Sequence, residues 1–236
     1  MPTKKLSSDF LNYLVSYSNG EAENESRLPP LSELSKEIGL SVSCLREQLE
    51  VAKAIGLVEV RPRTGIRRLP YTFLPAVRQS LSYAIALDWQ YFLRFADLRN
   101  HIEAAYWDEA VRGLQIEDYQ FLRDLMDQAW TKLQGHPIQI PHLEHRKLHI
   151  CIYHRLNNPF VLGLLEAYWE AYEAVGLNLY TDLEYLKQVW SYHQRMVETI
   201  ITGEYEAGFQ ALVSHKDLLY HRYKPETVVD NDGKAA

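Results

Sequence analysis

Residues 28–70 read LPPLSELSKEIGLSVSCLREQLEVAKAIGLVEVRPRTGIRRLP. The apolar spacing in this stretch predicts a short helix over residues 31–38, which Gly39 ends in a tight turn. Ser41 is suited to be the N-cap of a second helix that runs to about residue 55. Two helices joined by so short a turn predict a helix-turn-helix.

The end of the same stretch predicts a β-hairpin. Residues 58–61 alternate between apolar and polar side chains, Arg63-Thr64-Gly65 supplies a turn, and residues 66–69 return as a second strand. Apolar residues at helical spacing over residues 6–15 predict a further helix before this stretch. Residues 1–70 are therefore predicted to form a winged helix-turn-helix, with the hairpin as its wing.

A winged helix-turn-helix places the start of its second helix against base edges in the major groove of DNA. Here that start carries Ser41, Ser43 and Arg46, which can donate hydrogen bonds to phosphates or bases. The alternative is a winged helix that contacts proteins. Basic side chains lie on both elements that would face DNA, which favours DNA binding over protein contacts. The candidate DNA contacts in the wing are Arg61, Arg63, Thr64, Gly65 and Arg67, with Arg68 beside them.

The rest of the chain shows helical patterns and almost no strand signal. Pro70 and Pro75 mark a linker over residues 71–75, and the polar residues 223–236 are predicted to be a disordered tail. The fold class is therefore mainly α, with an all-α bundle over residues 76–222. Its predicted helices cover residues 76–113, 117–133, 141–156, 159–177, 180–202 and 204–222.

Composition narrows the class of protein. The chain has 236 residues and a formal net charge of −6, yet residues 1–70 carry ten basic and nine acidic side chains. A local basic element can bind DNA although the whole chain is acidic. No apolar run reaches the roughly 18 residues of a membrane helix, and two cysteines give no disulfide framework. We therefore expect a cytoplasmic protein without membrane contact.

Histidine spacing predicts a metal site. His145 and His149 are four residues apart and share one face of a helix. His193 and His215 lie ten residues before and twelve after Gly203, so a chain reversal at this glycine would place them level on antiparallel helices. Four imidazoles, or three with water and a ligand, suit Zn²⁺ or Ni²⁺. The alternative is a set of histidines on solvated helix faces.

Several short family-type motifs follow one another along the N-terminal part of the chain. They are Leu28-Pro29, Glu33-Leu34-Ser35, Ile38-Gly39-Leu40-Ser41, Leu45-Arg46-Glu47-Gln48-Leu49, Gly56-Leu57-Val58-Glu59-Val60-Arg61 and Gly65. This set resembles the N-terminal domain of GntR-family bacterial repressors. The resemblance implies a homodimer that binds palindromic operator DNA, with Ser41, Ser43, Arg46 and Gly65 at DNA-contacting positions. The chain departs from the family at Ser32 and Val42, where members often carry Arg.

A second set of motifs lies in the helical part. It comprises Arg99-Asn100-His101-Ile102-Glu103-Ala104-Ala105, His149, Asn158-Pro159, His193-Gln194-Arg195-Met196 with Ile200, and His215. This set resembles the FCD ligand-binding domain of the FadR subgroup. The resemblance implies a metal bound by an Asp and three histidines, which match His149, His193 and His215. His145 occupies the Asp position, with Glu144 beside it, so either His145 binds, Glu144 swings in, or the site is weakened.

In this domain class the metal anchors a carboxylate effector rather than driving turnover. Together with a metal that keeps an open position, Arg99 would hold a small organic acid from two sides. Alternatively, Arg99 is a buried partner of Glu103, four residues on. Tyr106, Tyr153 and Tyr192 line the cavity or pack in the core.

The sequence thus predicts a transcriptional regulator, specifically a repressor, whose operator affinity is modulated by a small-molecule effector and which is not an enzyme. Two competitors remain open. A metal-dependent hydrolase with a DNA-targeting domain would need a general base, for which Glu144 and Glu198 are nominees. A protein-interaction adaptor would not bind DNA.

Overall fold

We describe the chain with a computed structural model that covers residues 6–18, 27–176 and 182–222. Within these residues the chain is mainly α-helical, and its two-stranded sheet follows the first three helices. This architecture confirms the predicted fold class. Two predictions concern residues outside the described ranges: residues 180–181 as the start of a helix, and the tail over residues 223–236.

The first three helices are α1 (Asp9–Ser18), α2 (Leu31–Ile38) and α3 (Val42–Ala54). Gly39 ends α2 with a φ of 79°, a left-handed conformation that favours glycine. The Ser41 side chain accepts a backbone N–H from the first turn of α3. Both helix signals of the quoted stretch are therefore confirmed.

The wing consists of β1 (Val58–Arg61) and β2 (Gly65–Arg68), paired antiparallel. Gly65 has a φ of 78°, which lets the chain turn back within three residues. Arg27 forms a further bridge with Arg67 on the other edge of β2. The sequence does not predict this pairing, because a single bridging residue leaves no alternating pattern.

The N-terminal part has its own apolar core. Side chains from α1, α2, α3 and both strands meet there. Burying such side chains drives the packing of these short helices, which are too short to be stable alone. The buried members include Phe10, Leu34, Leu45, Leu49, Ala52, Val58 and Ile66.

Seven α-helices follow among the described residues. They are α4 (Leu74–Leu87), α5 (Gln90–Gly113), α6 (Ile116–Gln134), α7 (His142–Tyr153), α8 (Pro159–Ala174), α9 (Leu183–Thr202) and α10 (Tyr205–Arg222).

The single helix predicted over residues 76–113 is wrong, because the chain forms two helices there. Asp88 is extended, with φ −156° and ψ 120°, and its side chain accepts the backbone N–H of Gln90 at 2.9 Å. Asp competes in this way with the helical backbone and starts a new helix instead. The predicted linker is also shorter, since α4 begins at Leu74 with Pro75 in its first turn, where proline is tolerated.

Two other predicted boundaries shift. The helix predicted over residues 141–156 ends at Tyr153 and continues as a 3₁₀ turn over His154–Leu156, before Asn157 adopts a left-handed φ of 43°. The helix predicted over residues 159–177 ends at Ala174. Helix ends fray into tighter turns, so sequence patterns locate them only approximately.

The helical part buries two apolar clusters. One lies among α5, α6, α7, α9 and α10 and includes Trp107, Leu122, Leu148 and Trp190. The other joins α4, α5 and α8 through Phe92 and Trp169. α8 also lies close to the start of α4, since a Cβ atom at Gly163 would be 2.7 Å from the backbone nitrogen of Leu74.

Candidate metal centre and nucleic-acid interface

The start of α3 is exposed. Ser41 caps the helix through its oxygen, and its hydroxyl hydrogen remains able to donate. Ser43 and Arg46 are also exposed on the first turns. These three candidates therefore lie together on one accessible helix end.

The wing candidates are exposed with one exception. Arg61, Arg63, Thr64 and Arg67 are exposed, whereas Gly65 is half-buried at the turn. Arg61 forms an ion pair with Glu59 at 2.8 Å, so a phosphate would have to compete with this carboxylate. Arg27, which sequence reasoning did not include, brings another basic side chain to the same hairpin.

The four predicted metal ligands come together in the helical part. His145 and His149 lie on α7, His193 on α9 and His215 on α10. Each offers a ring nitrogen, and these atoms lie within 4.8 Å of one another. His193 and His215 have ring centres 4.4 Å apart, as expected if the chain reverses at Gly203.

The four imidazoles are held in the form that binds metal. Burial lowers the pKa of each ring well below its usual value, because it removes water from the charged form. The nearby Arg99 guanidinium lowers the pKa further. The rings are therefore neutral at pH 7, and a neutral imidazole nitrogen is a metal ligand.

A metal ion fits this donor set. The Nε2 atoms of His149 and His193 are 3.2 Å apart. Two nitrogen ligands of one tetrahedral zinc ion would be about 3.3 Å apart. Three rings also carry buried nitrogens without a hydrogen-bond partner among the described residues, and these are His145 Nε2, His193 Nδ1 and His215 Nδ1.

A buried charge network supports the cluster from α5. Arg99 Nη2 lies 2.9 Å from Glu103 Oε1 and 2.8 Å from His149 Nδ1. Glu103 Oε1 lies 3.1 Å from the same ring nitrogen, so it can fix the orientation of His149. Burial raises the pKa of Glu103 to about 7. The predicted alternative for Arg99, an ion pair with Glu103, is therefore present.

The residues 95–217 match the family model of the FCD domain, which spans the four histidines, Arg99 and Glu103. The chain belongs to the FCD domain family. No curated protein matches the sequence significantly.

A comparison with solved structures gives the following similarities. A GntR protein of Streptococcus agalactiae superimposes with a TM-score of 0.65 at 16% identity, covering 91% of this chain and 97% of that one. Lar of Listeria monocytogenes gives a TM-score of 0.49 at 17% identity and covers 95% of this chain and 100% of its own. The predicted FCD domain is confirmed by the family model, and the S. agalactiae structure shares the predicted overall fold.

Glu144 does not join the histidines of the FCD domain. It is buried and accepts a hydrogen bond from Lys132 Nζ at 2.7 Å. The structure therefore brings His145, rather than its acidic neighbour, into the cluster. The hydroxyl group of Tyr153 donates to the backbone oxygen of Glu103, whereas Tyr106 and Tyr192 pack against the core.

A second group, Asp118, Cys151 and His154, lies near the surface of the FCD domain. Asp118 caps α6 through the backbone N–H of Gln115 and forms an ion pair with Arg155. Burial raises the pKa of the Cys151 thiol to about 12, which keeps it protonated. This group therefore stabilises helix ends.

No helix in the described part of the chain is long and apolar enough to cross a membrane.

Proposed function

We propose that this chain is a DNA-binding transcriptional regulator, whose FCD domain senses a ligand at a metal centre. The observation that carries the proposal is the combination in one chain of an exposed start of α3 with Arg46, an arginine-rich wing and a buried four-histidine cluster. The first two can contact DNA, and the cluster can bind a signal.

The DNA contacts in this proposal divide by element. Ser43 and Arg46 on α3 read base edges in the major groove, and Ser41 donates to a phosphate. The wing lies along the backbone, with Arg63, Thr64 and Gly65 at its tip. Because such regulators bind palindromes as homodimers, two copies of α3 would contact successive major grooves about 34 Å apart.

The metal centre would hold an effector and an ion. A small organic acid is the candidate that the family resemblance implies, with Arg99 as the cationic contact. Zn²⁺ and Ni²⁺ suit the imidazole ligands, which are His145, His149, His193 and His215.

The hydrolase alternative lacks a placed base. Glu144 is engaged by Lys132, and the exposed Glu198 accepts a hydrogen bond from Gln194. Neither carboxylate belongs to the cluster. The proposal therefore assigns the metal centre to binding rather than catalysis.

The test is selection of duplexes from a random library, followed by affinity measurements at several salt concentrations. A regulator enriches a palindrome, and its affinity falls steeply with salt because phosphate contacts release counterions. An adaptor enriches no sequence and shows a flat, weak response, which would overturn the proposal.

A further inference from the structure

We propose that the metal ion itself is the regulatory signal of the FCD domain, and that no carboxylic acid is needed. This inference rests on the proposed function and specifies its ligand. An acid held from two sides would need an open metal position and an available cationic side chain. The structure assigns both to groups of the protein itself.

His145 completes the metal sphere. The six pairs of histidine ring centres lie 4.4–5.7 Å apart. Four imidazoles on a tetrahedral ion would have ring centres about 5 Å apart. An octahedral ion with four imidazoles has at least one opposite pair, about 6.5 Å apart. The observed spacing therefore fits a tetrahedral ion with every position filled by histidine.

Arg99 already has a partner within the protein. Its Nη2 pairs with Glu103, and both side chains are almost fully buried, with 4% and 1% exposure. The guanidinium also lies over the ring of Tyr168 at 4.7 Å and that of Trp169 at 5.4 Å. An acid would have to displace a buried carboxylate to reach Arg99, which favours the internal pair.

An ion at the cluster would tie three helices together. Its ligands come from α7, α9 and α10, and without an ion their rings leave buried nitrogens unpaired. An unpaired buried polar atom is destabilising, so the metal-free helices have reason to rearrange. Metal binding would therefore select one packing of these helices.

A short path of contacts leads from the cluster to the DNA-binding part. Trp169 of α8 lies 4.5 Å from the His145 ring, between ring centres. On the same helix, a Cβ atom at Gly163 would lie 2.8 Å from Phe73 Cβ. Two residues after Phe73, Pro75 lies against Gly56. A Cβ atom added at Gly56 would be 2.4 Å from Pro75 Cγ. A shift of α8 must therefore move the start of α4 and the base of the wing.

The first experiment measures DNA affinity with and without metal. Duplexes are selected separately with zinc-loaded protein and with protein stripped by a chelator, and affinities are measured at fixed salt. We expect a change of about 5- to 150-fold between the two forms, the usual range of allosteric coupling. The change should vanish in His145→Ala and persist in His101→Ala, whose ring is exposed on α5.

The outcomes separate the two proposals. Failure of both protein forms to enrich any sequence would overturn the proposed function. Enrichment with equal affinity in both forms would overturn only this inference. A response to citrate or acetate that zinc alone does not produce would also overturn it and restore the acid as the signal.

The second experiment tests the closed metal sphere independently of DNA. Co²⁺ is bound in place of zinc, and its visible absorption is recorded. Four imidazoles give the intense bands of a tetrahedral ion, unchanged by citrate. Weak bands, or bands that change when citrate is added, would show an open position and contradict the proposal. His145→Asp should convert the first behaviour into the second.

The third experiment tests the path. Gly163→Ala forces a methyl group against Leu74, whereas Gly113→Ala adds one at an ordinary 3.8 Å from Arg155 Cβ. We expect Gly163→Ala to bind zinc normally but to lose the metal-dependent change in DNA affinity, and Gly113→Ala to keep it. An unchanged response in a folded Gly163→Ala protein would overturn the path.

Discussion

At the scale of single residues, burial decides what each candidate side chain can do. An imidazole in water is partly protonated near neutral pH. His145 beside Trp169 and His193 beside Trp190 are neutral there, because burial lowers the pKa of each ring. Arg46, in contrast, is exposed at the start of α3 and keeps its charge available for a ligand outside the protein.

Arg46→Ala should weaken operator binding by about 1–3 kcal/mol, the range for one well-placed contact to a base pair. The fold should not change, since the side chain is exposed. The affinity for a selected duplex checks this, with Arg123→Ala on α6 as the matched control. An affinity equal to that of the control would remove α3 as the recognition helix.

His193→Ala should lose most of the bound metal, because its ring centre lies close to those of the other three ligands. Elemental analysis of protein purified without a nickel column or chelator measures the loss. The cavity left by the smaller side chain also destabilises the protein, so stability is compared with and without added zinc. An undiminished stabilisation by zinc would show that His193 is not a ligand.

At the scale of secondary-structure elements, α8 has the largest number of roles. It packs Trp169 against the histidines, approaches α4 at Gly163, and pairs Glu170 with Arg78 of α4 at 2.5 Å. Its start is fixed by Asn158, whose side chain accepts the backbone N–H groups of two residues in the first turn. The position of this helix therefore depends on its N-cap.

Asn158→Ala should lower the free energy of unfolding by about 1 kcal/mol, because two backbone N–H groups lose their acceptor. Asn158→Asp keeps an acceptor and should retain the stability. Urea unfolding of the zinc-loaded protein measures both variants. Equal stability of the Ala and Asp variants would show that the cap does not hold α8.

At the scale of the whole molecule, the proposed regulation would couple metal binding, helix packing and DNA binding. An ion that binds the folded chain alone stabilises it by mass action. The FCD domain contains all four ligands, and its helix α8 approaches the start of α4 at Gly163, where Pro75 in turn lies against Gly56, just before the wing.

Removal of the ion should lower the melting temperature. A free concentration one hundred times the dissociation constant stabilises by about 2.7 kcal/mol. For a chain of this length each kcal/mol shifts the midpoint by about 2–4 °C. We therefore expect a loss of about 5–10 °C on chelation, measured by calorimetry and reversed by zinc. His145→Ala should show a smaller shift, and an equal shift would place the ion elsewhere.

The regulator should also be a homodimer whose symmetry matches its operator. Light scattering coupled to gel filtration gives the mass in solution, and the length of the selected palindrome gives the half-site spacing. A monomer that binds a single half-site would contradict this arrangement.

The sequence by itself determined the elements that local physics fixes. Gly39, Ser41 and Gly65 set the helix-turn-helix and the wing through their backbone preferences, and the spacing around Gly203 brought His193 level with His215. The break at Asp88 is equally local, but helical patterns lie on both sides of it, so the sequence pattern does not indicate the break.

Only the tertiary structure decided which groups meet across the chain. Arg99 could pair with an effector or with Glu103, and His145 or Glu144 could face the histidines; spacing along a helix leaves both choices open. Packing settled them, since Lys132 from α6 engages Glu144 and the rings from α9 and α10 surround His145. Contacts between distant segments depend on the burial of all their neighbours, which no local pattern contains.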